Sequence, residues 1–306
     1  MNKQPLQPVT QDHIDTYERD GVVLLQGMID QEWVERLTSA WFRMRTEIIE
    51  GKPTNHLPQW MLEQDPLLAA EVEVMNSNET MRKRIESKVL GGKYMHFWDR
   101  DFLAYAMESP AAEIVGRVMN SDMVRFYWDQ LFVKGASNDA ITYWHTDYAA
   151  WPCSGQMLPS FWLALTPIEK GVSSLEFIAG SHKDETLQWP RTLNASHLER
   201  PADRPDFIDY ESYRNDPDVK FLSFDMNPGD AVLIHPRTYH GAGANPHPTR
   251  DRIALTTRWL GDDITWDPRP ECVNTPGLPL SKMAKGTPPN DDDLFPIAWR
   301  RSSLTA

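Results

Sequence analysis

A histidine and an aspartate in this sequence have the types and the spacing of a metal-binding pair. His145 and Asp147 are separated by one residue in a run rich in aromatic side chains, 143–148. On an extended strand, residues i and i+2 point to the same face and lie about 6–7 Å apart along the chain. Their imidazole and carboxylate groups could therefore reach one metal ion, and a third ligand must come from a neighbouring strand.

Two further histidines, His235 and His240, flank the end of a later strand and compete for the role of third ligand. They are an odd number of residues apart, so their side chains point to opposite faces if the segment stays extended, and only one can face the metal. We call this alternation parity. His240 is favoured because the glycines after it let the backbone turn closely past a bound ligand. Two histidines and one carboxylate on one octahedral face form the facial triad of non-haem Fe(II) oxygenases. A bidentate 2-oxo acid fills two of the three open positions, and O₂ takes the third.

An arginine follows twelve residues after His240, at the start of another predicted strand. Parity puts Arg252, Thr256 and Arg258 on one face of this strand. A buried arginine needs an anion, and its planar fork matches a carboxylate. The distal carboxylate of 2-oxoglutarate is the expected partner of Arg252, and Arg258 could bind an anionic group of the substrate.

Four separated segments resemble, in the right order, the phytanoyl-CoA dioxygenase family of Fe(II)- and 2-oxoglutarate-dependent oxygenases. They read Y-E-R-D-G-V-V at 17–23, W-H-T-D at 144–147, a run at 161–183 ending F-I-A-G-S-H-K, and G-D…H-G-A-G-A-N…R at 229–252. The resemblance implies that His145, Asp147 and His240 bind iron and that Arg252 anchors 2-oxoglutarate. Thr142 and Lys134 are predicted as further contacts of the co-substrate.

Two departures and one retained residue refine this resemblance. Ala242 stands where relatives often carry serine, so a hydroxyl contact to the co-substrate is missing. The run 144–151 is similar to the ectoine hydroxylase branch, in which a tryptophan near that position packs on a small cationic ring. Related halogenases lack the carboxylate that Asp147 provides, so hydroxylation or another C–H oxidation is expected, with release of succinate and CO₂.

The 12 tryptophans of the chain are either core residues or part of an aromatic-lined substrate pocket. Trp98, Trp128, Trp151 and Trp162 flank or precede the triad strands, and core packing is the simpler interpretation for most of them. Trp151, Trp98, Tyr148 and Arg258 are the predicted substrate contacts. An aromatic wall would suit a ring or an alkylammonium group, which favours a small zwitterion or a natural-product intermediate over an acyl-CoA.

Composition excludes several classes of partner. The 306 residues include 31 lysines and arginines against 44 acidic residues, a net charge of −13, with no dense basic run. A nucleic acid or an anionic membrane is therefore not an expected partner. No apolar run is long enough to span a bilayer, and no secretory signal is visible at the N-terminus. With only two cysteines, the sequence predicts a cytoplasmic protein, either a monomer or a homodimer.

The elements that position these residues change in type along the chain. Residues 1–122 are predicted to be mostly helical, with helices after Thr10, after Asp30 and over 108–119, a strand at 22–25 and a long loop at 51–66. Short strands follow, separated by turns, at 123–133, 141–148, 161–166, 174–178, 221–224, 230–234 and 253–259. This order predicts a mainly β protein with α decoration, in which a double-stranded β-helix (jelly-roll, cupin-like) barrel is buttressed by N-terminal helices.

The domain organisation follows from the metal site, because His145 and Arg252 must meet at one iron. We expect one domain over 1–306, with a helical part at 1–122, a jelly-roll core at 123–260 and an irregular extension at 261–306. An exposed insertion at 185–218 interrupts the core and could act as a lid. Two other functional classes stay open. One is a catalytically silent metal- or ligand-binding protein. The other is a zinc hydrolase with the same ligands, and such a hydrolase would need a general base near the metal.

Overall fold

The computed structural model describes residues 1–50, 62–63, 69, 89–192, 195–273, 275 and 283–302. Most of the predicted loop at 51–66 lies outside the described residues. Within the described part of the chain, every helix is too short or too polar to cross a bilayer.

The N-terminal helices match their sequence signals, with one addition. Helix α1 spans Gln11–Asp20, where the Thr10 hydroxyl accepts from the His13 backbone N–H, and α2 spans Gln31–Glu50. Two more helices, α3 (Arg100–Glu108) and α4 (Ala111–Met119), replace the single helix expected over 108–119. The proline at 110 cannot donate a backbone hydrogen bond, so α3 ends before it and α4 begins after it.

Seven strands form a large antiparallel sheet in the order β1-β9-β6-β11-β3-β13, with β2 also paired to β3. These strands are β1 (Val22–Leu25), β2 (Val89–Lys93), β3 (Met123–Lys134), β6 (Ser160–Ala164), β9 (Ala231–Ile234), β11 (Arg252–Leu260) and β13 (Ile297–Arg300). The last of them corrects the expectation of an irregular tail, because β13 extends the sheet along β3. Helix α4 packs against β3 and β13 on the outer face.

A second, four-stranded sheet has the order β4-β10-β7-β8. Its strands are β4 (Thr142–His145), β7 (Leu175–Ile178), β8 (Phe221–Ser223) and β10 (His240–Ala242), and a separate pair joins β5 (Cys153–Ser154) to β12 (Thr265–Trp266). The insertion at 185–218 contains only short 3₁₀ turns, at Ala195–His197 and Tyr210–Tyr213.

The two main sheets pack face to face around a small apolar core. Trp162, Val232 and Ala254 of the large sheet share one buried cluster with Phe177 of the small sheet. The jelly-roll architecture is therefore present. The sheets are not closed into the barrel that we expected, because no strand pair among the described residues joins one sheet to the other. Loops instead carry the chain between them, and the open interior between the sheets is where the predicted site lies.

Candidate metal centre

Pairing of two short strands brings the predicted metal ligands together. Strand β10 lies antiparallel to β4 with His240 directly opposite His145, and the centres of the two imidazole rings are 4.3 Å apart. Asp147 completes the cluster, with its Oδ1 3.9 Å from Nε2 of His145. Each of the three side chains offers a ligand atom within 4.8 Å of the others. Two imidazoles and one carboxylate at these separations are a donor set that suits Fe(II).

The aspartate reaches this cluster by a turn rather than along the strand. Strand β4 ends at His145, and Asp147 has helical backbone angles, φ −66° and ψ −36°, at the start of the 3₁₀ turn Tyr148–Ala150. The extended spacing inferred from the sequence is therefore wrong in its local geometry, although it selects the right pair. The Ser160 hydroxyl donates a 2.9 Å hydrogen bond to Oδ2 of Asp147 and fixes its orientation.

Backbone carbonyl groups orient both imidazoles. Nδ1 of His145 donates to the carbonyl oxygen of Tyr143 at 2.8 Å, and Nδ1 of His240 donates to that of Thr238 at 3.0 Å. In each ring this arrangement leaves the Nε2 lone pair free to point towards the centre of the cluster. Burial, together with the neighbouring His145, lowers the pKa of His240 to about 4. His240 is therefore neutral at pH 7, as a metal ligand must be.

Electrostatics also keep the Asp147 carboxylate in its ligand form. Burial alone would raise the pKa of Asp147, but the nearby Arg258 guanidinium and the two histidines hold that pKa below its usual value. The carboxylate is thus ionised near neutral pH and can bind a cation.

His235, the competing ligand candidate, faces away from the cluster. Its ring lies against those of Tyr17 and His182, with ring centres 6.0 and 4.9 Å apart. Burial lowers its pKa to about 3, so it is a neutral packing residue. The structure places His240 beside His145, in agreement with the parity argument.

One cavity joins the metal cluster to the predicted co-substrate residues. It has a volume of about 70 Å³ and lies between the two sheets. Its lining consists of Phe132, Thr142, His145, Asp147, Ser160, Trp162, Leu175, Ile234, His240, Arg252, Thr256 and Arg258. The apolar members and Ser160 were not among the predicted site residues. Alternation along β6 would have placed Ser160 and Trp162 on one face, which is the signal that could have found them.

A pair of buried cations lies near Thr142, and Arg252 of this pair lines the cavity. Arg252 on β11 lies opposite Lys134 on β3, and Nζ of Lys134 donates to the carbonyl oxygen of Gly243 at 2.7 Å. Burial and the charge of Arg252 lower the pKa of Lys134 to about 7. Nε of Arg252 is buried without a hydrogen-bond partner, and no acid in the described residues pairs with this arginine. Two buried cations without an acid among the described residues could hold an anion such as the distal carboxylate of 2-oxoglutarate.

The predicted substrate residues divide into two groups. Arg258 and Trp151 lie together, with the arginine Cζ 5.4 Å from the centre of the Trp151 ring. Trp98, Tyr148 and Trp151 are all absent from the lining of the cavity, so Arg258 alone of the four predicted substrate residues faces it. Trp98 is part of the main hydrophobic core, and the buried Tyr148 ring stacks under Arg237 at 3.7 Å. Tyr148 directly follows the metal cluster in sequence, but the 3₁₀ turn after β4 directs its ring into protein packing instead.

A second, larger cavity lies elsewhere and shares no lining residue with the first. It has a volume of about 360 Å³ and includes His96, Phe126 and Leu103 in a mainly apolar wall. Nδ1 of His96 is 2.6 Å from Oδ1 of the buried Asp129, which also accepts from the His96 backbone N–H. The His–Asp pair thus fixes the local backbone beside this cavity.

Comparisons with known proteins agree with this fold and donor set. Residues 17–252 match the phytanoyl-CoA dioxygenase (PhyH) family. Dioxygenase FrzG of Cladobotryum sp. is 22% identical over 240 residues, which cover 76% of this chain and 68% of FrzG.

Solved structures with low sequence identity share the fold. SnoK, a non-heme alpha-ketoglutarate-dependent carbocyclase from nogalamycin biosynthesis, superposes with a TM-score of 0.66 at 16% identity, covering 98% of this chain and 100% of SnoK. EctD from S. alaskensis, crystallised with 2-oxoglutarate and 5-hydroxyectoine, gives 0.61 at 14% identity, covering 94% of this chain and 92% of EctD. Together with the match over most of its length, these observations identify the chain as a member of the phytanoyl-CoA dioxygenase family of Fe(II)- and 2-oxoglutarate-dependent oxygenases.

Proposed function

We propose that this enzyme hydroxylates a C–H bond of a small molecule, using Fe(II), 2-oxoglutarate and O₂ and releasing succinate and CO₂. The observation that carries the proposal is the arrangement of one cavity, in which a His–Asp–His cluster stands beside a buried arginine that lacks an acidic partner among the described residues. A metal-binding cluster alone would not need a second, anion-binding end. A co-substrate such as 2-oxoglutarate is both a chelator and a dicarboxylate, so it can occupy the metal cluster and the anion-binding end at the same time.

The predicted metal and co-substrate residues have defined tasks in this proposal. His145, Asp147 and His240 hold the iron, which with its co-substrate and O₂ supplies the oxidising power for C–H cleavage. Arg252 and Lys134 bind the distal carboxylate of 2-oxoglutarate, and Thr142 lines the same end. The protein contributes the positioning of these groups. Because Asp147 is present, no ligand position is left for a halide, which favours hydroxylation over halogenation.

The remaining parts of the proposal concern the substrate and the setting. We infer a single catalytic domain, because both sheets contribute to one cavity. The solved relatives that act in nogalamycin biosynthesis or bind 5-hydroxyectoine support a small molecule rather than an acyl-CoA. The net charge of −13 supports the same conclusion, since a CoA thioester brings anionic phosphates. Two cysteines are too few for a disulfide framework and favour a reducing cytosol.

An anaerobic titration tests the reaction class directly. Adding 2-oxoglutarate to the Fe(II)-loaded protein should produce a visible metal-to-ligand charge-transfer band, which should decay when O₂ is admitted. The Asp147→Ala variant should lose the iron and the band. A zinc hydrolase or a silent binding protein would take up metal without forming an oxygen-sensitive band, and that outcome would reject the proposal.

A further inference from the structure

We propose that Arg258 binds a carboxylate group of the substrate, so that the small molecule oxidised by this enzyme is an acid or a zwitterion. The inference rests on the proposed function and specifies its substrate class. Arg258 and Arg252 lie on the same face of β11 at opposite ends of the strand, six residues apart, which corresponds to about 20 Å. The metal cluster lies next to Arg258, because Ser160, which bonds Asp147, is its strand partner.

The hydrogen bonding of Arg258 is incomplete. Its side chain is only 4% exposed, and Nε and Nη1 are buried without any hydrogen-bond partner. The remaining nitrogen, Nη2, makes one long contact of 3.3 Å to the side-chain oxygen of Gln130. Burying a guanidinium with unsatisfied N–H groups is unfavourable. The arrangement is explained if a bound anion supplies the missing acceptors.

The nearby acids are already committed to other partners. Asp147 is a predicted metal ligand and accepts from Ser160, and the charge of Arg258 acts on it without a direct ion pair. Asp129 is held by His96. In the loaded site, the positive charges of an Fe(II) ion, Arg252 and protonated Lys134 exceed by one the negative charges of the Asp147 carboxylate and dianionic 2-oxoglutarate. These groups therefore leave no counter-ion for Arg258.

The aromatic surroundings of Arg258 select a planar anion. The guanidinium Cζ lies 3.8 Å from the centre of the Trp128 ring and 5.4 Å from that of Trp151. A guanidinium stacked on indole keeps its edge available for hydrogen bonds in its own plane. The two oxygens of a carboxylate match that edge in a bidentate geometry, and Trp162 in the wall of the same cavity offers apolar surface for a carbon skeleton.

The test compares carboxylic acids with their primary amides on the Fe(II)-loaded protein, without O₂ and with saturating 2-oxoglutarate. The probes are acid–amide pairs of increasing size, from acetate and acetamide through benzoate and benzamide to indole-3-acetate and indole-3-acetamide. Binding is measured by calorimetry and by the shift of the charge-transfer band. We expect at least one acid to bind tenfold or more tightly than its amide. Arg258→Gln should remove this preference, and Arg258→Lys should retain only part of it.

Matched controls separate this proposal from its alternatives. Arg250→Gln removes a partly exposed arginine that pairs with Glu169, and it should leave the preference for acids intact. A charge-transfer band that fails to form in the unmodified protein rejects the proposed function itself. A normal band without any preference for acids rejects only the role of Arg258, and this comparison needs no variant. If Arg258→Gln weakens 2-oxoglutarate binding as much as acid binding, Arg258 belongs to the co-substrate site and the proposal is wrong.

Discussion

The hydroxyl group of Thr238 donates a 2.7 Å hydrogen bond to the carbonyl oxygen of Gly21, 217 residues earlier in the chain. The same carbonyl oxygen accepts from the backbone N–H of His235 at 2.9 Å. Gly21 has φ 75°, and a Cβ atom there would lie 2.3 Å from the Thr238 hydroxyl oxygen, so only glycine fits. The Thr238 carbonyl group orients the His240 ring. The turn at Gly21 after α1 therefore helps to position a predicted iron ligand.

Thr238→Val should weaken Fe(II) binding by about tenfold, because partners that orient a ligand tune metal affinity at this scale. Thr238→Ser keeps the hydroxyl and should bind iron like the unmodified protein. Affinity is measured without O₂ by competition with a chromophoric chelator. Equal affinities for the valine and serine variants would show that the link to Gly21 does not position His240.

Ser160→Ala should lower Fe(II) affinity by roughly 10- to 100-fold, since it removes the hydroxyl that orients Asp147. Asp147→Ala removes the ligand itself and should cause a larger loss, with substrate-dependent succinate formation falling below detection. Succinate release and chelator competition check both effects. Near-normal succinate formation in Asp147→Ala would mean that Asp147 is not a ligand.

The affinity for 2-oxoglutarate should fall as the pH rises above 7. The pKa of Lys134 is about 7 in the ligand-free protein, and a bound carboxylate raises it by stabilising the charged form. Below pH 7 the lysine is protonated with and without ligand, so affinity is constant there. Above pH 7 binding requires proton uptake, and Kd should rise by up to about tenfold per pH unit.

Charge-transfer titrations between pH 6 and 9 measure this dependence. Lys134→Met should bind 2-oxoglutarate more weakly at pH 6 and show a flat profile. If the affinity of Lys134→Met for 2-oxoglutarate still falls as the pH rises, the proton taken up on binding belongs to another group.

Arg252→Met should change 2-oxoglutarate affinity and thermal stability in opposite directions. Arg252 is a fully buried cation whose pKa burial lowers to about 10, and a methionine of similar length removes its desolvation penalty. The variant should lose 2-oxoglutarate binding, while the Tm of the ligand-free protein should rise, by about 2 °C per kcal/mol gained. Differential scanning fluorimetry without ligand checks this, with Arg250→Gln as the surface control. A lower Tm would indicate that Arg252 stabilises the fold.

Local patterns were sufficient to predict the site residues that share a strand face. Arg252, Thr256 and Arg258 all line the cavity from one strand, and parity predicts this because alternation along a strand depends only on neighbouring residues. The sequence could not show that the chain turns at Asp147, since that bend depends on packing around the 3₁₀ turn Tyr148–Ala150. It also could not show Ser160 as a partner of Asp147, because this contact depends on how β6 lies beside β11.

Long-range pairing explains the remaining errors in the predicted fold. Strand β10 has only three residues, His240–Ala242, too few to give a periodic signal. Strand β13 lies beyond a proline-rich stretch, and only its pairing with β3 makes it a strand. The two sheets stay separate because loops, rather than continuous strands, carry the chain from one to the other.

The position of β1 has a consequence for how the protein is synthesised. Val22 pairs with Ile234, so the first strand emerges from the ribosome about 200 residues before its partner. At about 5–20 residues per second, it waits roughly 10–40 s as an apolar, unpaired edge. His240 and Arg252 are made later still, so a nascent chain has neither the complete ligand set nor the co-substrate anchor. The complete ligand set therefore becomes available only after strands of both sheets have been synthesised.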